Sequence, residues 1–243
     1  MSKPELPNNS HTPTHIAIIP DGNRRWARER KMAPWMGHFH GMKGLEKILE
    51  HALTTDIKHI SFWGASVDNV KKRDHKEVIF LMEIFRKEFN KLAKSKLVHG
   101  NQVKINVIGD WAKLFPKETV SAIKLSIDST KNYKNRFANF FLGYSGTKEM
   151  LDTAIKLAKK YSKNKNYKID REELKNNLLT KDLPSVDLII RTGGEPHNSD
   201  GFMMWDTANS QCIFLEKYWP DFTPQDFDDC LEEYGKRQRR MGA

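Results

Sequence analysis

Short apolar runs alternate with longer amphipathic segments through almost the whole chain, and this alternation limits the folds open to it. The runs, rich in β-branched and aromatic residues, lie at residues 16–19, 60–63, 103–108, 137–142, 186–190 and 212–215. Between them, residues 75–97 place Val78, Leu81, Met82, Phe85, Phe89 and Leu92 at helical spacing, with Lys and Glu on the opposite side. Residues 150–161 and 224–240 read the same way. Strand–helix alternation predicts an α/β fold with a central, mostly parallel six-stranded sheet flanked by helices. No repeat of solenoid period interrupts it. The Lys/Asn-rich stretch 159–168 reads as a surface loop rather than a linker, so residues 15–243 form one domain. Residues 1–14, polar, aperiodic and with three prolines, read as a mobile tail.

At 243 residues, 38% of them hydrophobic, the chain can bury a sizeable core. Its apolar runs fall far short of the roughly 20 residues of a membrane span, and its first residues lack the apolar block of a signal peptide. A soluble, cytoplasmic protein is expected. Cys212 and Cys230 are too few for a disulfide framework or a four-ligand zinc site. The formal charge of +10 suits nucleic acid, an anionic membrane surface or a phosphorylated small substrate. A nucleic-acid binder would interleave stacking aromatics with its cations. The Lys-rich stretches here read as solvated helix faces, so no nucleic-acid partner is expected.

In a parallel sheet, ligands bind beyond the carboxyl ends of the strands. The first run ends in Pro20-Asp21-Gly22-Asn23-Arg24-Arg25-Trp26. Gly22 lets the backbone approach an anion, helix N-terminal amides point at it, and the arginines supply forked donors, which suits a diphosphate. Asp21 could hold Mg²⁺ against the diphosphate oxygens. An ordinary helix cap with a solvated basic turn would use the same residues. The second run ends in Gly64-Ala65-Ser66-Val67-Asp68-Asn69, with Lys71-Lys72-Arg73 following; the plain alternative is a loop with an N-cap at Asp74. The fifth emits Arg191-Thr192-Gly193-Gly194-Glu195, then Pro196-His197-Asn198-Ser199, for which a salt-bridged turn is the alternative. His38, between Gly37 and Gly41, suits either a phosphate contact or a helix start. One diphosphate site with a metal accounts for these strand ends together. No hydrolase triad order, HExxH or CxxC competes with it.

Taken together, these segments resemble the cis-prenyltransferases, the undecaprenyl diphosphate synthase family. The matching text is the stretch from His15 to Ala27, Gly37-His38, Ser66 to Asn69, Val107 to Asp110, Arg191 to Glu195, Trp219 to Phe222 and Arg239 to Gly242, in family order. The resemblance implies a homodimer with a hydrophobic tunnel for a growing prenyl chain. An allylic prenyl diphosphate would sit on Gly22, Asn23, Arg24, Arg25 and Trp26 with His38 nearby, and Mg²⁺ on Asp21. Asn69, with Ser66 and Asp68, matches the segment that handles proton loss from isopentenyl diphosphate, and Val67 and Lys72 beside them are counted as substrate-binding candidates. Arg191 and Ser199 match its diphosphate ligands, and His197 and Asn198 between them are counted as substrate-binding candidates. Arg240 and Gly242 match an element that closes the site. The product, a (poly)prenyl diphosphate for a lipid carrier, would pass to a membrane at which the enzyme sits peripherally.

Several positions depart from the family pattern. Gln211 stands where a metal-binding Glu is usual, His197 for an Arg, Pro34 for an Arg, Asp68 for a Glu and Val70 for an aromatic, and Asp200 is inserted. Pro20 replaces a Met before Asp21, as in relatives of the fold that join chains in irregular, lavandulyl-like fashion. The alternatives to chain elongation are therefore an irregular or other-acceptor prenyltransferase, or a weakly catalytic subunit of a heteromeric one. The bulky residues Ile79, Phe80, Phe85, Phe140 and Phe141 are expected at the tunnel, with only one of Phe140 and Phe141 facing it, and predict short or medium products.

Overall fold

The computed structural model describes residues 12–237. Its elements run in the order β1 (His15–Ile19), α1 (Asn23–Glu29), α2 (Pro34–Ala52), β2 (His59–Ser66), α3 (Val67–Lys72), α4 (His75–Leu92) and α5 (Lys96–Gly100). There follow β3 (Val103–Ile108), α6 (Trp111–Leu114), α7 (Lys117–Thr130), β4 (Arg136–Tyr144), α8 (Gly146–Lys163) and α9 (Arg171–Asn177). The chain continues through β5 (Leu188–Arg191), β6 (Gln211–Phe214) and α10 (Pro224–Lys236). The six strands form one sheet in the order β3-β4-β2-β1-β5-β6, and every pairing in it is parallel.

β1 is buried along its whole length, so its side chains alternate between two apolar layers rather than between core and water. Ile16 and Ile18, with Phe62, Phe140, Leu188 and Ile190, join the larger core under α2, α4, α7 and α10. Ala17 and Ile19, with Trp63, Phe141 and Ile189, join a smaller one with Leu183, Val186, Phe202 and Met203. Phe140 and Phe141 thus face opposite layers, as strand alternation requires.

The helix boundaries follow local chemistry. Asp74 caps α4 by accepting from the backbone amides of Lys76 and Glu77 at 2.9 and 3.3 Å. The single helix expected over 75–97 ends at Leu92, because Ser95 takes up an extended conformation and caps a separate short helix through the Val98 amide. α8 extends to Lys163, so the first half of the Lys/Asn-rich stretch is helical and only its remainder is a loop. Thr14 bonds Asp187 at 2.8 Å through both its amide and its hydroxyl, tying the start of β1 to the start of β5. Among the described residues no helix is long and apolar enough to cross a membrane.

Candidate active site

The carboxyl ends of β1 and β5 lie side by side, with Ile19 opposite Arg191, so the two loops richest in polar candidates meet. Gly22 turns the chain into α1 with φ 95°, a left-handed conformation that an L side chain adopts only at a cost. The Asp21 carboxylate accepts from Arg191 Nη2 at 2.9 Å and lies 3.6 Å from Arg25 Nη2. Its backbone carbonyl accepts from Thr192 Oγ1 at 2.8 Å and from the Trp219 amide at 2.9 Å. Arg191 is buried, and its other terminal nitrogen donates to the His197 carbonyl at 2.5 Å. Gly37 lets α2 press against the Asn23 carbonyl, where a Cβ would collide with backbone. Close helix approach thus explains Gly37 of the family-like Gly37-His38 pair.

A second cluster forms where α2, α3 and α4 converge. Glu77 is buried (3% exposed), and its carboxylate lies 3.5 Å from Arg24 Nε, 3.3 Å from Arg73 Nη1 and 3.2 Å from His38 Nε2. The bond from His38, then the neighbouring arginines, hold the Glu77 carboxyl below its usual range. Burial holds His38 below its ordinary value, so its imidazole is neutral. His38 Nε2 is also 3.3 Å from Arg73 Nη1. A neutral ring nitrogen either donates or accepts, so it serves Glu77 or Arg73 at any moment, not both.

These groups surround the mouth of a cavity of about 530 Å³ lined by Asp21, Gly22, Asn23, Arg24, Arg25, Arg28, His38, Asn69, Arg73, Arg191, Glu195 and Ser199. Farther in, the walls become apolar with Leu45, Phe62, Leu81, Phe85, Phe89 and Phe140. Arg191 Nε is a buried donor without a hydrogen-bond partner. Buried polar atoms are normally satisfied, so an unpaired guanidinium donor among the arginines of the mouth suits an anion. The cavity thus joins an arginine-rich mouth to a largely apolar interior.

The family model described as "Putative undecaprenyl diphosphate synthase" matches residues 19–242. The chain belongs to that family. It is 38% identical over 232 residues to the tritrans,polycis-undecaprenyl-diphosphate synthase (geranylgeranyl-diphosphate specific) of Pyrococcus horikoshii, covering 95% of this chain and 87% of that one. To the enzyme of the same name from Methanocaldococcus jannaschii it is 35% identical over 242 residues, covering 98% and 85%. The crystal structure of lavandulyl diphosphate synthase from Lavandula x intermedia, in complex with dimethylallyl diphosphate, superposes with a TM-score of 0.86 at 29% identity, covering 96% of this chain and 99% of that one.

Within this undecaprenyl diphosphate synthase fold, some sequence candidates fall elsewhere. Trp26 does not line the cavity; its indole donates to Asp221 at 2.7 Å and its ring underlies Arg30. Ser66 caps α3 by accepting from the Asn69 amide at 2.9 Å, and Val67 opens that helix outside the cavity. Lys72 pairs with Asp68 at 2.7 Å, both largely exposed; the helix ends there, and the extended backbone at Arg73 lets that side chain reach in to Glu77. His197 offers Arg191 its carbonyl while its side chain stays exposed. Asn198 ties down its own loop through the Phe202 carbonyl at 3.1 Å.

Asp21 and Gln211 do not meet in this protomer. Gln211 pairs with Leu188 at the start of β6, three residues below the Arg191–Phe214 level. That is roughly 10 Å of strand, and Asp21 lies beyond the opposite end. Arg240 and Gly242 lie outside the described residues. At the apolar walls Ile79 is exposed and Phe80 does not reach the cavity, whereas Phe85 and Phe140 do. Ile79 and Phe80 lie on the part of α4 turned from the sheet.

Sequence reasoning missed Glu77 and Arg28 and chose Lys72 over Arg73. Arg28 follows Arg24 by four positions and so shares its helix face, a signal open to reading. Glu77, three residues after the cap Asp74, reads as an ordinary first-turn acid, and no local pattern announces its burial.

Proposed function

We propose that this chain is a Mg²⁺-dependent cis-prenyl chain elongase, condensing isopentenyl diphosphate with an allylic prenyl diphosphate, with geranylgeranyl diphosphate the primer suggested by the relatives' names. The observation that carries this is one cavity with a cationic mouth and an apolar interior. Arg24, Arg25 and the helix N-terminus at Asn23 bind the allylic diphosphate, and Arg191 with Ser199 binds that of isopentenyl diphosphate. The allylic carbon–oxygen bond breaks, the isopentenyl double bond closes onto the freed carbon, and a proton leaves the adjacent carbon. Asn69, at the cavity wall, orients the group that loses it.

Asp21 would hold the metal. Mg²⁺ is commonly bound by one or two carboxylates together with substrate phosphates rather than by an all-protein cage, and a single carboxylate facing a cavity lined by arginines fits that demand. When bound, the ion supplies positive charge to the departing diphosphate. The reading extends to a homodimer and to delivery of a polyprenyl product at a membrane.

Purified protein incubated with Mg²⁺, labelled isopentenyl diphosphate and a series of allylic diphosphates should yield elongated products with geranylgeranyl diphosphate. No incorporation with any primer would refute the reading. A second reading, irregular coupling, draws on Pro20 before Asp21 and on the lavandulyl diphosphate synthase likeness. Dimethylallyl diphosphate alone, converted to a branched C10 diphosphate, would favour it.

A further inference from the structure

The cavity does not end at its aromatic walls. A second compartment of about 290 Å³ lies beyond it, lined by apolar residues that include Leu53, Ile57, Ile60, Val103, Ile105 and Phe137. The two share four lining residues, Glu46 and Leu49 from α2 and Glu88 and Leu92 from α4. Each helix therefore gives one carboxyl and one leucine, at spacings of three and four that place them on one face, and the two compartments adjoin at this pair of acids and pair of leucines.

Both acids border the same junction, and each shifts the titration of the other. Burial first, and then Glu46, push the Glu88 carboxyl up to about 7, while Glu88 and Lys91 together outweigh burial and hold Glu46 below its usual value. Glu46 also accepts from Lys91 Nζ at 2.5 Å. The far end of the inner compartment is tied by Arg136, which donates to the carbonyls of Ile57 and Thr55 at 2.6 Å each. From Leu81 to Leu92 along α4 the outer compartment runs roughly 16 Å.

We propose that the Glu46–Glu88 pair is a polar neck that sets product length. The apolar end of a growing chain fills the outer compartment, meets the neck, and enters the inner compartment only by displacing the two carboxyls and the Lys91 contact. The physical reason is that two carboxyls, one of them bonded to a lysine, lose polar surroundings and gain no partner when hydrocarbon is pushed between them. This rests on the elongation reading above.

Two measurements separate the neck from that reading. The first is product length for the wild type, for Glu46→Leu with Glu88→Leu, and for Glu46→Gln with Glu88→Gln. The second is calorimetric binding of prenyl diphosphates of increasing length with isopentenyl diphosphate omitted, so that no elongation occurs. For the wild type, affinity should stop rising at one chain length. In the leucine pair it should continue, with about tenfold tighter binding of the next longer ligand, in the direction that added apolar contact dictates, and the main product should gain at least one isoprene unit. The glutamine pair, less disturbing to the fold, should shift both in the same direction but less. Identical plateaus and products in every folded variant overturn the neck. A wild type that binds the series with a plateau shifted in the variants, yet never elongates, overturns the elongation reading and leaves the neck. Failure to bind any prenyl diphosphate overturns both.

Discussion

The two faces of the sheet are built from the same strands and solve different problems. On one, Trp63, Phe141, Tyr144 and Phe202 meet edge to face with ring centres 4.8 to 6.4 Å apart, closing the layer. Toward the strand starts the same face carries a hydrogen-bonded seam across four strands. His15 Nε2 meets Ser61 Oγ at 2.8 Å, Asn139 donates to Ser61 Oγ at 3.1 Å, and Asn106 donates to Asn139 at 2.8 Å. On the other face, Phe62, Phe89 and Phe140 line a cavity that is left open. Rigidity on the closed face holds the strand ends in register, and the unfilled volume on the open face is where an apolar ligand fits. A layer that leaves space gives up packing energy, and here the space adjoins the cationic mouth.

The largest expected effect lies on the closed face. Phe141→Ala should cost about 3–5 kcal/mol of stability and leave product length unchanged, measured by denaturant unfolding and product analysis. Phe140→Ala, whose ring already borders empty space, should cost less and alter chain length. Equal costs for both variants would erase the contrast between the faces.

On the open face, Asp21→Ala should lower turnover by about 10²–10³-fold, the scale of a lost electrostatic contact to developing charge, in a protein that still folds but melts lower, because buried Arg191 loses its carboxylate partner. Wild-type turnover across a range of Mg²⁺ concentrations would remove Asp21 from the site.

The seam predicts a pH dependence. Burial lowers the His15 pKa to about 4, so the folded protein binds this proton more weakly than the unfolded chain, whose value is the ordinary 6.5. Its contribution is fully present above pH 6.5 and is lost as pH falls toward 4, amounting to about 3 kcal/mol at 1.36 kcal/mol per pKa unit. Thermal melts from pH 7 to 4 should show this slope in the wild type, and His15→Gln should reduce it, leaving the share of His59, whose pKa burial also lowers to about 4.

The smallest effect should come from Glu77→Gln. Loss of the charge that gathers Arg24, Arg73 and His38 should raise KM for the allylic diphosphate about tenfold, the equivalent of 1.4 kcal/mol, more than it lowers kcat. A fall in kcat alone would place Glu77 in the chemistry rather than in positioning.

Most of this architecture was legible along the chain, and the limits of that legibility have causes. Six apolar runs marked six strands because strands of a sheet covered on both faces are largely apolar, least so at the edge strands β3 and β6. Strand alternation alone required Phe140 and Phe141 to part. The polar residues after the first and fifth runs marked the mouth, since parallel strands deliver their carboxyl ends to one edge.

What only the tertiary structure decided was which side chains share a space. Lys72 and Arg73 are adjacent and chemically alike, but α3 ends between them: Lys72, still helical, pairs with Asp68 in solvent, and Arg73, where the backbone turns extended, reaches buried Glu77. Gln211 reads as a partner for Asp21, and the register of β6 on β5 puts it at the other end of the sheet. Glu46 and Glu88 lie 42 residues apart on separate amphipathic helices, where each alone is one more charged residue. Sequence period determines which face of an element a residue occupies. How two faces turn toward each other, and how much room they leave between them, depends on the summed shape of every side chain at the contact, and no local pattern carries that sum.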